Sequence, residues 1–351
     1  MRASVLIRFS NIYLARGGDL NRVRNTFYDG KFPSNTIVKV DLEYVVAKYN
    51  EPCFDLWEET MALNFYTRMV QRRSLVEGAE FARLMGDNGA ATYYAQEAKN
   101  MEKQIDSHWD SNRNYILESL GRVGGIDWKS SNMDTAAVLA ALHTDANDGF
   151  YDASSPRILA HAQKLIETFG SLYPVNSASS AQDKILGTAI GRYPEDRFDG
   201  YSLTLGNPWF LATNAIAELH FRLASHVKTA EVTPLTSESA SFFARVLGVS
   251  REALPKSFIR DTNATQDLIF ALQTTGDDFL RRVQYHSPRP SAKNAFSLWE
   301  QFNRQSGFMQ SARDLTWSFA SLLTATWERE RSLTSVTSVV PAFVETEVLG
   351  G

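Results

Sequence analysis

The sequence predicts an all-α fold, and three observations carry that expectation. Apolar residues recur mostly at three- and four-residue spacing, the period of one helix face. Short alternating runs bounded by turn residues, the mark of half-buried strands, are scarce. Helix punctuation falls between the periodic segments, as at Gly17-Gly18, Gly86-Asp87-Asn88-Gly89 and Asn207-Pro208.

Taken in order, the pattern places a first helix over residues 2–15, stopped by Gly17-Gly18, and a second over about 36–49 with Asn35 as N-cap. A long helix is expected over about 57–85, closed by the 86–89 turn, and another over about 90–107. Residues 131–142 and 155–169 read as a further pair. Between them, residues 144–152 are rich in Asp, Asn and Gly and favour turns; a calcium loop is the alternative, although the spacing does not match an EF-hand. Asn207 as N-cap and Pro208 at the first helical position open a helix over 207–226, with Trp209, Ala212, Ile216, Leu219 and Leu223 on one apolar face. Further helices are expected near 236–247, 262–284, 290–304 and 311–328, followed by a Ser/Thr-rich tail from Ser332. No repeat of fixed period, Pro/Ser linker or shift of composition divides the chain. Ten or eleven helices must then close around one core, as a toroid of paired helices or an irregular bundle.

Composition narrows the function. With 44% hydrophobic and 22% charged residues the chain is globular rather than disordered. A net charge of -4 without blocks of like charge argues against nucleic acid or a membrane surface as partner and suits a neutral substrate. The apolar run after Met1 is cut by Arg8, short of the about 7–15 residues of a signal peptide, and nothing approaches the roughly 20 residues of a membrane span. Cys53 is the only cysteine, so no intramolecular disulfide can form. The six histidines include no pair at the one-turn spacing of a helical zinc site, and phosphate-loop, dinucleotide and serine-elbow signatures are missing; neither metal nor cofactor is expected.

Three polar clusters remain as chemistry. In Asp55-Leu-Trp-Glu-Glu59 a capping box explains the carboxylates as a helix start, with Asp55 the N-cap and Glu58 three residues on. The alternative makes Glu58 a general acid, with Trp57 a sugar-stacking surface and Asp55 and Glu59 binding hydroxyls. Glu300, flanked by Trp299 and Phe302, is either a solvated helical residue or a second working carboxylate. Arg192-Tyr-Pro-Glu-Asp196 fits a salt-bridged turn equally well.

Five ordered blocks resemble one family: Phe54-Asp-Leu-Trp-Glu-Glu59, Leu75-Val-Glu-Gly78, Gly191-Arg-Tyr-Pro-Glu-Asp196, Gly206-Asn-Pro-Trp-Phe-Leu211 and Ser311-Ala-Arg-Asp-Leu-Thr-Trp-Ser318. They are similar to the fungal glucoamylases, glycoside hydrolase family fifteen, over nearly the whole chain. The resemblance implies an (α/α)6 toroid and an exo-acting, inverting glycosidase that releases β-D-glucose from the non-reducing ends of α-1,4-glucans. Glu58 matches the general acid and Glu300 the general base, with Trp299 in place of a serine beside it. Asp55 matches an aspartate also considered as proton acceptor. Trp57, Glu59, Arg192 and Trp209 match the substrate-binding region, and Glu195 and Asp196 of the same block and Trp299 beside the base are expected to bind substrate with them. An inverting pair must stand about 6.5–9.5 Å apart to admit a water, which favours Glu300 over Asp55 as base because Asp55 and Glu58 share one turn.

By the same resemblance, residues 1–341 are a catalytic domain lacking its N-terminal part and 342–351 a tail, with no starch-binding domain. The family's Trp-Thr-Arg-Asp block, which binds the terminal glucose, falls upstream of Met1, so the toroid is expected to be incomplete and weakly active. The complete parent is expected to be a secreted monomer. Two other readings stand beside the active enzyme: a catalytically silent homologue that still binds oligosaccharide, and a helical interaction scaffold without sugar affinity.

Overall fold

The computed structural model describes residues 2–177, 186–288, 295 and 297–334. Its helices alternate between two layers because their apolar faces differ in width. Helix α1 (Arg2–Ala15), α2 (Leu20–Phe27) and α3 (Ile37–Lys48) precede a three-stranded antiparallel sheet of β1 (Cys53–Phe54), β2 (Thr60–Asn64) and β5 (Ser119–Gly125). Helix α4 (Phe65–Leu84) packs on α5 (Asn88–Asp106), which buries a single stripe of Ala91, Tyr94, Ala98, Met101 and Ile105. By contrast α6 (Ala136–His143) is buried all round from Ala136 to Leu142, as a helix with no polar face must be. It lies between α4 and α8 (Phe210–Thr229), which is also buried on almost every side. Helix α7 (Pro156–Leu172) covers α6; α10 (Asn263–His286) and α11 (Thr316–Leu333) both pack on α8. The short α9 (Ala240–Leu247) joins α7 to α10. The inner row is thus α4, α6 and α8, continued by α11, with α5, α7 and α10 outside it. Apolar side chains stay exposed on α1, α3 and α11, notably Phe9, Tyr44 and Trp327.

The helical expectation holds for most of the chain, with local corrections. The helix expected from Trp57 begins only at Phe65, because residues 55–60 form a turn that leads into β2. Within that turn Glu58 has φ 60°, a left-handed conformation that no right-handed helix contains. Residues 20–27, not anticipated, form a helix capped by Asp19, whose carboxylate accepts from the amide of Asn21. Thr36, not Asn35, is the N-cap of α3. The segment 131–135 is held by bonds to neighbouring loops, so α6 starts at Ala136. Asn207 and Pro208 do not start α8: the Pro208 carbonyl accepts from the amide of Phe302 and Asn207 donates to the side chain of Gln301, so Trp209 becomes the N-cap.

The same pairing removes the helix expected over 290–304. Residues 297–300 are not helical and Gln301–Phe302 is β8, paired with β9 (Met309–Gln310); positions 289–294 and 296 lie outside the described residues. Hairpins β3–β4 (Trp109–Asp110, Tyr115–Ile116) and β6–β7 (Val232–Pro234, Ser257–Ile259) also escaped the periodicity, being only two or three residues long. Ser332 belongs to the last turn of α11 rather than to a tail, and residues 335–351, with the tail expected at 342–351, lie outside the described residues. In the 144–152 segment the carboxylates of Asp145, Asp148 and Asp152 accept from backbone amides two residues on, as turn residues do.

Gly125 is a position where this packing tolerates no side chain. It pairs with Thr60 at φ +86°, and a Cβ there would fall 2.0 Å from the carbonyl oxygen of Glu59. Gly125→Ala is expected to lower the unfolding free energy by about 3 kcal/mol, combining overpacking with left-handed strain. Urea unfolding with unchanged m measures it; a loss below about 1 kcal/mol would show that β2 and β5 move apart freely.

Candidate active site

Asp55 shapes the turn that carries Glu58. It is 5% exposed, its Oδ1 accepts the amides of Glu59 at 2.8 Å and Thr60 at 3.1 Å, and its own amide donates to the Thr60 carbonyl at 2.9 Å. The capping-box reading is therefore replaced by a tight loop in which Glu58 is exposed and Trp57 half-buried. Trp57 donates its indole N–H to both oxygens of Asp134 at 3.0 Å. Asp134, Lys129 and Glu118, none of them singled out from the sequence, form a buried charged floor behind this loop.

Arg192 joins the loop to a second segment. The guanidinium is 4% exposed and donates to Asp196 at 2.9 and 2.7 Å and to Glu59 Oε1 at 2.9 Å. Tyr193 donates its hydroxyl to the other oxygen of Glu59 at 2.7 Å. Burial works against the guanidinium's charge, but Asp196 and Glu59 outweigh it and hold Arg192 above its ordinary range. Burial raises Glu59, with Arg192 pulling the other way. Aromatic rings close around the cation: its central carbon lies 5.3 Å from the Trp57 ring and 5.2 Å from that of Trp209. Trp57 in turn packs 5.7 Å from Trp209 and 5.8 Å from Trp317, centroid to centroid.

Glu300 enters from a third segment. Its carbonyl accepts from the amide of Phe210 at 3.3 Å, beside a bridge between Trp209 and Gln301, so it sits next to the Trp209 wall. Its carboxylate accepts a short hydrogen bond from the Ser311 hydroxyl. Burial raises the Glu300 pKa; the Ser311 bond and the positive field of Arg192 lower it, and Asp196 adds to the rise. Ser311 itself is held at φ 73°, its amide donating to the hydroxyl of Tyr201 at 3.0 Å.

Two expected residues are placed elsewhere. The Glu195 carboxylate is used up by the Ser130 hydroxyl and by the amide and hydroxyl of Ser131, which anchors the 130–131 loop instead of facing the Trp57 side. Trp299 donates to Ser297 at 2.8 Å and lies under Arg313, outside the Trp57–Trp209–Trp317 contact set. What sequence reasoning missed is the support: Lys129, Asp134, Tyr193, Ser311 and Trp317. Ser311 and Trp317 stood inside a recognised block, whereas Lys129 carried no local signal.

With this geometry in place, comparison with known proteins assigns the family. The profile described as Glycosyl hydrolases family 15 matches residues 1–327, and the chain belongs to that family. Over 331 residues it is 37% identical to a glucoamylase of Blastobotrys adeninivorans, covering 94% of this chain and 52% of the relative. Glucoamylase 1 of Rhizopus oryzae is also 37% identical, covering 93% and 51%. The chain thus spans about half the length of the curated relatives it matches. Among solved structures, the family 15 glucoamylase of Hypocrea jecorina superposes with a TM-score of 0.79 at 30% identity, covering 97% of this chain and 54% of that one. The fold class is that of these (α/α)6 toroids, as the motifs implied. None of the described helices is long and apolar enough to cross a membrane.

The Ser311–Glu300 bond yields a direct test. Ser311→Ala removes an interaction that lowers the Glu300 pKa and leaves the burial that raises it, so Glu300 should ionise at higher pH than in the wild type. Carboxyl ¹³C NMR titration reads this; an unchanged or lower midpoint would remove Ser311 as a partner of the ionised form.

Proposed function

We propose that this chain is the sugar-hydrolysing part of a glucoamylase, an exo-acting inverting enzyme that releases β-D-glucose from the non-reducing ends of α-1,4-glucans. The observation that carries the reading is the convergence of residues 55–60, 192–196, 209, 300 and 311–317 on one aromatic-walled, carboxylate-rich site. Residues 1–341 are read as one catalytic domain.

In this reading Glu58, exposed on its strained turn, protonates the glycosidic oxygen as the bond to the anomeric carbon breaks. Glu300, ionised, takes a proton from a water that attacks from the opposite face, giving inversion. The Ser311 bond and the Arg192 field favour the ionised form a base requires. Glu59, Arg192 and Asp196 offer paired donors and acceptors for sugar hydroxyls, and the tryptophan faces offer apolar surface for the ring. The indole N–H of Trp209, buried and without a hydrogen-bond partner among the described residues, suits a hydroxyl acceptor. Asp55, spent on backbone amides, serves as the frame of the turn and not as the base.

Maltotriose hydrolysis followed by ¹H NMR of the first-formed anomer tests the reaction: β-glucose is expected, α-glucose would contradict inversion, and binding without release would return the silent homologue. Glu58→Gln and Glu300→Gln should each lower turnover by about 10²–10⁴-fold in folded protein. A near-normal rate in Glu300→Gln would return the base role to Asp55. Because the base must be ionised, activity should fall as pH drops through the Glu300 pKa, and that limb should move to higher pH in Ser311→Ala.

A further inference from the structure

A group of buried charges that the proposed chemistry does not use lies behind the 55–60 turn. The side chain of Lys129 is wholly inaccessible, as are those of Asp55 and Asp134. Its ammonium stands 3.4 Å from Asp55 Oδ2, pairs closely with Asp134 Oδ2 and lies 4.5 Å from the centre of the Tyr193 ring. Each of these partners holds a different part of the site. Asp55 accepts the amides of Glu59 and Thr60 through its other oxygen, Asp134 accepts the indole N–H of Trp57, and Tyr193 donates to Glu59.

We propose that Lys129 is a positioning residue that locks the Glu58-bearing turn and the Trp57 ring into one rigid unit, acting through Asp55, Asp134 and Tyr193 and never on the sugar itself. The inference rests on the reading of Glu58 as the acid for its kinetic consequence, but not for its structural one. Removing one partner of a buried ion pair leaves an uncompensated charge, and here a single cation serves two carboxylates at once. Burial works against the ammonium, yet Asp134, Asp55 and Glu118 outweigh it and keep Lys129 charged. Glu118, fully buried with Oε2 lacking a partner among the described residues, is pushed well above the ordinary carboxyl range by burial and by Asp134. Asp55 and Asp134 share this one cation. Without it both would repel across the space where the turn is anchored, and the amides of residues 59 and 60 would lose a fixed acceptor.

The test is Lys129→Met, checked for folding by circular dichroism. Amide exchange at Glu59 and Thr60 should accelerate at least about tenfold while the amides of α8 stay unchanged. On maltotriose, kcat should fall about 100-fold, the cost of a small misplacement, with KM changed less than about threefold. A folded variant with wild-type protection at residues 59 and 60, or with KM rising in step with the loss of kcat, overturns the proposal. If the wild-type chain releases no glucose, the functional reading fails alone and the exchange result still decides the role of Lys129. Should Lys129→Met not fold, exchange in the wild type decides: the amides of Glu59 and Thr60 and the indole N–H of Trp57 should open in one event, and independent opening of the indole would sink the idea.

Discussion

A carboxylate taken out of water needs a cation beside it, and that constraint organises this site. Asp55, Asp134 and Asp196 are all buried, and the charges that accompany them, Lys129 and Arg192, both lie against the ring of Tyr193. Each cation serves two acidic partners, so residues 55–59, 134 and 192–196 cannot move independently. The charge network is continued by backbone: Thr135 donates its amide to the Arg192 carbonyl and its hydroxyl to the Gly191 carbonyl. The start of α6 therefore holds the residue that holds Glu59.

The toroidal layering explains why such distant segments meet. Residues 55–64 lead into α4, 126–135 into α6, 190–209 into α8 and 297–315 into α11, so every working segment is the entry to an inner helix. Of the inner helices, α6 and α8 are buried on nearly all sides and give the loops a rigid frame. Loops mounted on such a frame can hold strained conformations, and both Glu58 and Ser311 are left-handed non-glycine residues at the site. The partial positive charge of helix N-termini also suits a place crowded with carboxylates.

How much of this was legible follows from range. Helix content and most helix positions come from periodicity within one turn or two, which a single sequence displays. The helix starts at 65, 136, 210 and 316 did not, because each is delayed by tertiary bonds from another segment, as when Phe302 binds the Pro208 carbonyl. Trp57, Glu59, Arg192, Asp196 and Trp209 were picked out by their blocks and contact one another in the structure, with Glu300 held beside Trp209 and Glu58 on the turn between Trp57 and Glu59. Glu195 was picked out by adjacency alone, and its side chain is turned to Ser130 and Ser131. Lys129 had no periodicity, no motif and no neighbour in sequence to mark it; its importance exists only once Asp55, 74 residues away, is folded over it.

The two carboxylates proposed for the chemistry are given different surroundings, and the difference has a direction. Glu58 reaches solvent from a loop tip, whereas Glu300 is half-enclosed beside Trp209 and must still ionise to act as a base. Burial alone would oppose that. Ser311 supplies a donor at the carboxylate, and Ser311 is itself aimed by its left-handed backbone and by Tyr201. Arg192 adds a favourable field from across the site while its own charge is sustained by Glu59 and Asp196. The ionised state of Glu300 thus depends on the same buried cation that orders the loop of Glu58. Loss of Arg192 would disturb both ends of the reaction together, which is why substitutions there cannot separate binding from proton transfer, whereas Ser311 touches the base alone.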